Sequence, residues 1–527
     1  MKKMKILLCG ILLLSILAVG AFAGGGGQGS RQQVTIPTRS NFNPASFPAH
    51  PANYVIGILT ISHTGEIIAS DHPAVSQIEE HTGFRINLQY MLNANYNEQM
   101  NTRLAAGDMP GIVAITGNTS VIADAALAGA FWDITEIYDM YPYLSTLNRD
   151  VMNNVSIQGR NFGIYRERAI GRAGMVYRVD WLRNLGLSEP RTLDELYNVL
   201  RAFTFNDPDR NGLNDTFGIA WAGTSMAPFY DIAVMFGAPN RWGIQNGQLV
   251  PWFEYPEFRE ALEWNRRLFV EGIVANRDFP ATSTNDFHNF IRENRVGWHI
   301  NVNDEANRAS QGLFNNGLIS EQAAIAGDHI WVMGSVANSR GQIFSPASNG
   351  HAGYVTITTT GARTFQDLHY YMQFLDACNS PMGSMILSWG AQDVNWYWNP
   401  DGVTFSLIPA NQIPNGWHIL EGWNQFRMRS DLTPSQLLQP IPARQGEVTA
   451  INMTHVVHDP TLPLAMMSET WMRSSTSLNQ IIDDAVVNFM LGNLDMAGFQ
   501  REVERWYREG GRQAIVELQA AYDAARR

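Results

Sequence analysis

Beyond Lys5 the sequence contains no lysine, so every fixed side-chain cation from residue 6 onward is an arginine. That absence excludes a Walker A phosphate loop, which needs its lysine at the phosphates. It also excludes a Schiff-base lysine enzyme. Cysteine is nearly as scarce, with only Cys9 and Cys378. Cys9 lies in the N-terminal apolar run, so removal of that run leaves one thiol and no internal disulfide. Positive charge is in deficit, 37 Lys+Arg against 49 Asp+Glu for a formal net charge of −12. Such a surface is a poor match for a polyanion, so no nucleic-acid partner is expected. After the N-terminus no apolar run is long enough to span a bilayer, and no internal repeat is visible.

Aromatic and aliphatic residues are plentiful. The chain has 527 residues, 45% of them hydrophobic, with 15 Trp, 25 Phe and 17 Tyr. That is enough for a large core spread over more than one domain. Met1–Lys5 is basic, Ile6–Val19 is apolar, and Ala21-Phe22-Ala23 is a small-x-small cleavage site. Residues 1–23 therefore read as an export signal cut after Ala23. Cys9 begins the apolar run rather than following it, so it is not a lipobox cysteine. The expected product is exported, periplasmic, soluble and monomeric. Residues 24–53, rich in Gly, Pro, Ser and Asn, read as a flexible leader.

From Tyr54 the pattern alternates. Strands are expected at Tyr54–Ile61, Phe84–Leu92 and Gly111–Thr116, and helices at Pro73–His81, Tyr96–Ala106 and Val121–Ala128. That order is an α/β signature. The end of the chain turns helical, over Leu478–Leu491, Met496–Arg508 and Gln513–Ala525.

Asp207, Asp209, Asn211 and Asp215 put oxygen side chains at positions 1, 3, 5 and 9 of a loop with Gly212 at position 6. That is the spacing of a calcium loop, in which Leu213 would give its backbone carbonyl. Thr216 is expected to add a further oxygen. The bidentate Glu at position 12 is replaced by Gly218. The expected Ca²⁺ is structural, since nothing nearby suggests hydrolysis. Gly223–Ala227 (GTSMA) matches the string around a subtilisin-like nucleophile. The proline follows it one residue too early, and His63-Thr64-Gly65 is only a fragment of the histidine motif, so a loop is expected there. His455, His458 and Asp459 lack a third metal partner at suitable spacing and read as a polar loop.

Several blocks together resemble the extracellular solute-binding proteins of ABC importers, family 1 type, in their long sugar-binding lipoprotein-like branch. They are NEQMNTRLAAGDMPGIV within Tyr96–Val113, GAFWDITEIYDMY at Gly129–Tyr141, MVYRVDWLRNLGL at Met175–Leu187 and PRTLDEL from Pro190. They continue with FTFNDPDRNGLNDTFG at Phe203–Gly218, FREALEWNRRLFVEGI at Phe258–Ile273 and the closing segment Asn493–Tyr522. The chain departs from the pattern at Gly111, where the family has Asp, and at Trp389–Val394, where it has Gly-x-Glu-Gly-Val. The resemblance implies a type II two-lobe periplasmic-binding-protein fold with a helical C-terminal segment and the ligand in the cleft between the lobes. The lobes are expected over 54–166 plus about 350–398, and over 167–349 plus about 399–527.

The implied function is capture of an oligosaccharide and its delivery to the transmembrane subunits of an ABC permease, without catalysis. A secreted carbohydrate-active enzyme and a peptide-binding or adhesin surface protein are the alternatives. Sugars stack on aromatic rings and hydrogen-bond to polar side chains. The candidate ligand residues are therefore Trp221, Trp298, Trp389, Trp396, Trp471 and Tyr165, with Trp181 and Trp264 assigned to the core. Arg166, Arg168, Arg172 and Arg178 crowd the segment between the two lobes. Either this is a solvated loop whose arginines pair with Glu167, Asp180 and other carboxylates, or one or two of them, Arg178 first, hold a ligand carboxylate or several hydroxyls, which would favour a uronate-containing sugar.

Overall fold

Val55–Ser62 (β1) is apolar almost throughout and buried on both faces, as a central strand with parallel neighbours must be. The computed structural model describes residues 35–526, except 63–66, 223–225, 227, 277, 410–411, 418–422, 424–426 and 429–438. The export signal, the leader up to residue 34, the His63 fragment and most of Gly223–Ala227 lie outside the described residues. The described residues from Pro37 onward form one compact unit.

After β1 the first lobe adds Arg85–Leu92 (β2), Ile112–Ile115 (β3) and Gly163–Glu167 (β4). The second lobe opens with Ala173–Arg178 (β5) and Phe217–Ile219 (β6). The hairpin Trp242–Gln245 (β7) and Gln248–Pro251 (β8) follows, then Val296–Val302 (β9) and Ile330–Met333 (β10). The chain returns through Ser345–Pro346 (β11) to His351–Ile357 (β12). Trp396–Trp398 (β13) and Phe405–Leu407 (β14) form a second hairpin, and Val456–Val457 (β15) pairs with β11.

Two sheets result, ordered β2-β1-β3-β12-β4 and β10-β5-β9-β6. Each has its own core. Ile58, Val113, Ile164 and Val355 centre the first, and Trp181, Phe203, Trp298 and Phe258 the second. Helices cover the sheets, as mixed α/β layers require. Their ends follow local rules. Thr192 Oγ1 accepts from Glu195 N at 3.1 Å to start one helix, and Thr364 with Asp367 makes a capping box for another. Left-handed Gly83, Gly107 and Gly186 end three more. The C-terminal helices Glu469–Met490, Met496–Trp506 and Arg512–Ala525 pack against the second lobe through Ile482, Phe489, Phe499 and Leu518.

Three expectations shift. The leader is not free up to Asn53: Phe42 is buried in the first core, its ring 5.3 Å from Phe47 and 5.6 Å from Phe365. The first lobe does not stop near Trp398, because Trp423 and Met428 belong to its core. The next described residues, from Gln439, belong with the second lobe, where Ile441 joins the cluster around β10 and β9. The final helical region starts at Glu469, not Leu478, because Ser468 caps it by accepting from Trp471 N at 2.9 Å.

Gly111, where the family has Asp, is fixed by packing. A Cβ there would lie 2.1 Å from the Tyr371 ring, and a Cβ on Gly361 would lie 2.3 Å from the Gly111 Cα.

Candidate functional site

Strand direction puts the two lobes' functional edges face to face. β3 and β4 both run antiparallel to β12, and β1 and β2 run parallel to β3. The C-terminal ends of β1 to β4 therefore share one edge. In the second sheet β5 runs against β9 and β10, and β6 runs with β9. The ends of β6, β9 and β10 thus share an edge with the start of β5. Only residues 168–172 separate the end of β4 from the start of β5, so the two edges meet across a short crossing. Ligands of α/β sheets bind outside the carboxyl ends of strands.

The crossing is braced by the returning chain. Arg168 N donates to Gly350 O at 2.9 Å, Ser348 N to Ile170 O at 2.9 Å, and Ala347 N to Val457 O at 3.1 Å. On the first lobe's edge, Thr116 Oγ1 donates to Asn97 Oδ1 at 3.0 Å and Tyr354 OH to Asn118 Oδ1 at 2.9 Å.

The dominant electrostatic feature is a cluster of arginines. Arg166 is the last residue but one of β4, Arg168 and Arg172 lie on the crossing, and Arg427 joins them from a later segment of the first lobe. Burial pushes the Arg166 guanidinium down to about 10, with Arg168 adding to the effect. Burial also lowers Arg168, helped by Arg172 and Arg427, and burial lowers Arg427. Glu167 opposes the fall at Arg168 and Arg427, and Asp304 opposes it at Arg168, so the cluster is partly offset by carboxylates of its own lobes. Arg172 is tied to Asp304 at 2.9 Å. Arg168 donates to Glu167 O at 2.8 Å, and Arg427 to Ser388 Oγ at 3.0 Å.

The residues singled out from sequence scatter. Trp221 and Trp298 are wholly buried: Trp221 packs on Phe269 and Phe279, and Trp298 stacks on Tyr177 with centroids 4.6 Å apart. Trp396 is buried too, with Nε1 donating to Gly390 O at 2.8 Å. Trp389 is half-buried, 5.5 Å from the Phe405 ring. Tyr165 is buried, its hydroxyl accepting from Asn148 N at 3.0 Å. Trp471 is half-buried, edge-on to Trp242 at 5.4 Å. Trp181 and Trp264 are core residues, as expected.

Arg178 sits at the far end of β5, away from the crossing. Its Nε donates to Asp180 Oδ1 at 2.8 Å, it bonds Asn294, and it lies 4.7 Å from the Trp181 ring centroid. Arg166, Arg168 and Arg172 are the arginines of the segment that lie near the crossing, and Arg427, which no local pattern announced, lies near them.

The calcium-loop residues do come together. Asn211 Nδ2 lies 3.1 Å from Asp209 Oδ2 and 3.2 Å from Asp215 Oδ1. Asp207 accepts from Asn211 N and Gly212 N, each at 3.1 Å. Asp209 Oδ1 is buried without a partner, and burial raises that carboxyl, with Asp215 and Asp207 contributing. The Asn211 amide nitrogen thus sits between the Asp209 and Asp215 carboxylates. Among the described residues no three His, Cys, Asp or Glu side chains are gathered tightly enough to hold a metal as they stand. Thr216 is not available: it is buried and its Oγ1 donates to Phe203 O at 2.9 Å. Among the described residues no helix is long and apolar enough to cross a membrane.

Two sheeted lobes joined by a short crossing define a two-lobe ligand-binding protein of the type II α/β class. The family described as "Bacterial extracellular solute-binding protein" matches residues 66–364, more than half the chain. The chain belongs to that family. It is 31% identical over 461 residues to lipoprotein LipO of Bacillus subtilis, covering 86% of this chain and 89% of that one. It is 29% identical over 468 residues to the polygalacturonan/rhamnogalacturonan-binding protein YtcQ of the same organism, covering 86% and 88%. A crystal structure of the Streptococcus pneumoniae ABC-transporter substrate-binding protein FusA, an EF-hand mutant in complex with fructo-nystose, superposes with a TM-score of 0.64 at 16% identity. That alignment covers 90% of this chain and 99% of the other.

Proposed function

We propose that this chain is the exported substrate-binding component of an ABC importer that captures an acidic, uronate-containing oligosaccharide in the cleft and hands it to membrane permease subunits. The observation that carries this reading is the arginine cluster Arg166, Arg168, Arg172 and Arg427 at the lobe crossing. Guanidinium groups hold carboxylates in bidentate fashion and stay charged. A strongly acidic protein that concentrates four arginines at its cleft is built to offset negative charge on the ligand. The names of YtcQ and FusA support a saccharide ligand, and that of YtcQ supports an acidic one.

The protein works as a clamp and not as an enzyme. Closure of one lobe on the other around the crossing encloses the ligand. The protein acts as a monomer, since one chain supplies both edges of the cleft. Asp207, Asp209, Asn211 and Asp215, with the Leu213 carbonyl, would hold a Ca²⁺ once the Asn211 amide turns its oxygen inward. The ion would offset the converging carboxylates and fix the loop between a helix and β6. The EF-hand named for FusA supports that assignment.

Calorimetry with oligogalacturonides and neutral oligosaccharides of matched length tests the function. Tight binding of the uronates is expected. Preference for the neutral series would overturn the acidic reading, and turnover of any sugar would overturn the non-catalytic one.

A further inference from the structure

On the first lobe, at the edge of the sheet opposite the crossing, lies a cavity of about 580 Å³, within the range of small-molecule sites. Its floor is the helix Phe365–Cys378. That helix meets the starts of β1 and β2, with the Tyr370 ring 5.0 Å from Tyr54 and the Phe374 ring 6.0 Å from Phe84. His369, Gln373, Asp376 and Ala377 recur at helical spacing, so they share the face turned to the cavity. Residues 44–49 supply one wall and residues 140–143 another. Among the described lining residues there is no arginine, the fixed cation this chain uses past residue 5. Asp376 is only 8% exposed. Its Oδ1 accepts from Tyr143 N at 2.8 Å and Leu144 N at 2.9 Å, while no described residue bonds its Oδ2 or pairs with its charge. One turn away, Gln373 Oε1 is buried without a partner. The His369 ring lies 5.1 Å from Phe47 and 5.8 Å from Tyr141, and Tyr143 is exposed. Burial raises the Asp376 carboxyl against the pull of the two amides, and burial lowers His369, which is therefore uncharged at neutral pH.

We infer that this cavity binds a small alkylated ammonium ion, a cation that carries methyl or methylene groups about its charge. A carboxylate oxygen and an amide oxygen left without partners in a largely apolar cavity favour a positive charge. The faces of the rings of Phe47, Tyr141 and Tyr143 attract cations, and the attraction grows as water is excluded. The side chains of Pro48, Pro142 and Met140 offer packing to alkyl groups and no hydrogen bond. The same walls count against other ligands. An anion would meet Asp376 with no arginine to offset it. A bare metal ion would find one carboxylate where it needs several oxygen ligands. A guanidinium is held best by two carboxylate oxygens, and one of those of Asp376 is already spent on amides. The cavity lies at the edge away from the cleft, so it is independent of the saccharide reading.

The test is calorimetry on the mature chain with choline, its uncharged carbon isostere 3,3-dimethylbutan-1-ol, and methylguanidinium at matched ionic strength. Choline should bind about tenfold tighter than the isostere, which has its shape without its charge, and tighter than methylguanidinium. Asp376→Asn keeps an oxygen for the two amides and removes the charge, so it should bring choline down to the level of the isostere. Tyr143→Ala, at an exposed side chain, should weaken choline about threefold and keeps the test informative if the first variant folds poorly. Asp459→Asn, which removes a carboxylate lying among tryptophans of the second lobe, should leave choline binding unchanged. Choline that binds no tighter than its isostere, or not at all, would overturn the inference. So would tighter binding of methylguanidinium, an affinity unmoved in both Asp376→Asn and Tyr143→Ala, or a loss confined to Asp459→Asn. None of these results touches the saccharide reading.

Discussion

Arg172 and Asp304 clasp each other at the lobe crossing, with Arg172 Nη2 2.9 Å from Asp304 Oδ1 and 3.1 Å from Oδ2. Asp304 also accepts from Arg308 at 3.2 Å. Arg172 therefore already has a carboxylate in hydrogen-bond contact, while Arg168 donates to a backbone carbonyl and Arg427 to a hydroxyl, with the Glu167 carboxylate acting on both. A ligand carboxylate gains most from the latter two. Arg168→Ala is expected to weaken a uronate oligosaccharide by about tenfold or more, the scale of one charge-assisted hydrogen bond. Added salt should shrink that difference. Calorimetry at low and high NaCl measures both, and equal affinities for the wild type and the variant would sink the cluster's role.

Calcium should be visible in stability. An ion bound only by the folded chain raises the melting temperature. Chelator should lower it, added Ca²⁺ should restore it, and Asp209→Ala should remove the response. A wild-type melting curve indifferent to exhaustive metal removal would end the assignment.

Trp221 and Trp298 behave as core residues. Both are fully buried, so Trp298→Ala is expected to cost about 3–5 kcal/mol of stability. Trp298→Phe, which keeps the stack on Tyr177, should cost less and leave ligand affinity unmoved. A clear loss of affinity in a stable Trp298→Phe protein would return Trp298 to the binding site.

These cases mark what was legible in the sequence. Period and caps gave β1, β2, β3 and the helices between them to within a residue or two, because each is a local pattern with a glycine or threonine stop. The calcium-loop spacing was equally local. The cleft was not. A tryptophan near a strand end faces the core or the ligand according to register with its neighbour, and Ile219↔Trp298 pairing cannot be read from either segment alone. Arg172 and Arg178 look equivalent in sequence. Arg172 immediately precedes β5 and Arg178 ends it, roughly 20 Å along an extended chain, so they lie at opposite ends of that strand. Arg427 reaches the cluster through tertiary folding. Asp459 was set aside as part of a polar loop because the residues it lies among come from distant parts of the chain.

Export should leave a trimmed chain. The basic, apolar and small-x-small run predicts a mature N-terminus at Gly24. Cys9 is removed with the signal and carries no lipid. N-terminal sequencing and fractionation of the producing cell check this, and a product beginning at Met1 or held on the membrane would contradict it.

Glu517 supplies a pH-dependent brace at the start of the helix Glu469–Met490. Its carboxylate accepts from Ser468 Oγ at 2.7 Å, Thr470 N at 2.9 Å, and Thr470 Oγ1 and Gln513 Nε2 at 2.8 Å each. An anion is favoured there, since the first turn of a helix leaves N–H groups unpaired and carries positive dipole charge. Burial acts to raise the carboxyl, but these hydrogen bonds outweigh it and hold Glu517 down at about 2, against 4.5 for a free side chain. A depressed carboxyl stabilises the fold fully above its unfolded value. That stability is lost as pH falls from about 4.5 towards 2. Glu517→Gln should therefore lower stability at pH 7 by about 1 kcal/mol, a figure kept small because the group is half-exposed. The gap between wild type and variant should close as the pH is lowered through that window. Denaturant titrations at several pH values measure it. A gap that persists undiminished in acid would mean that Glu517 acts through packing and not through its charge.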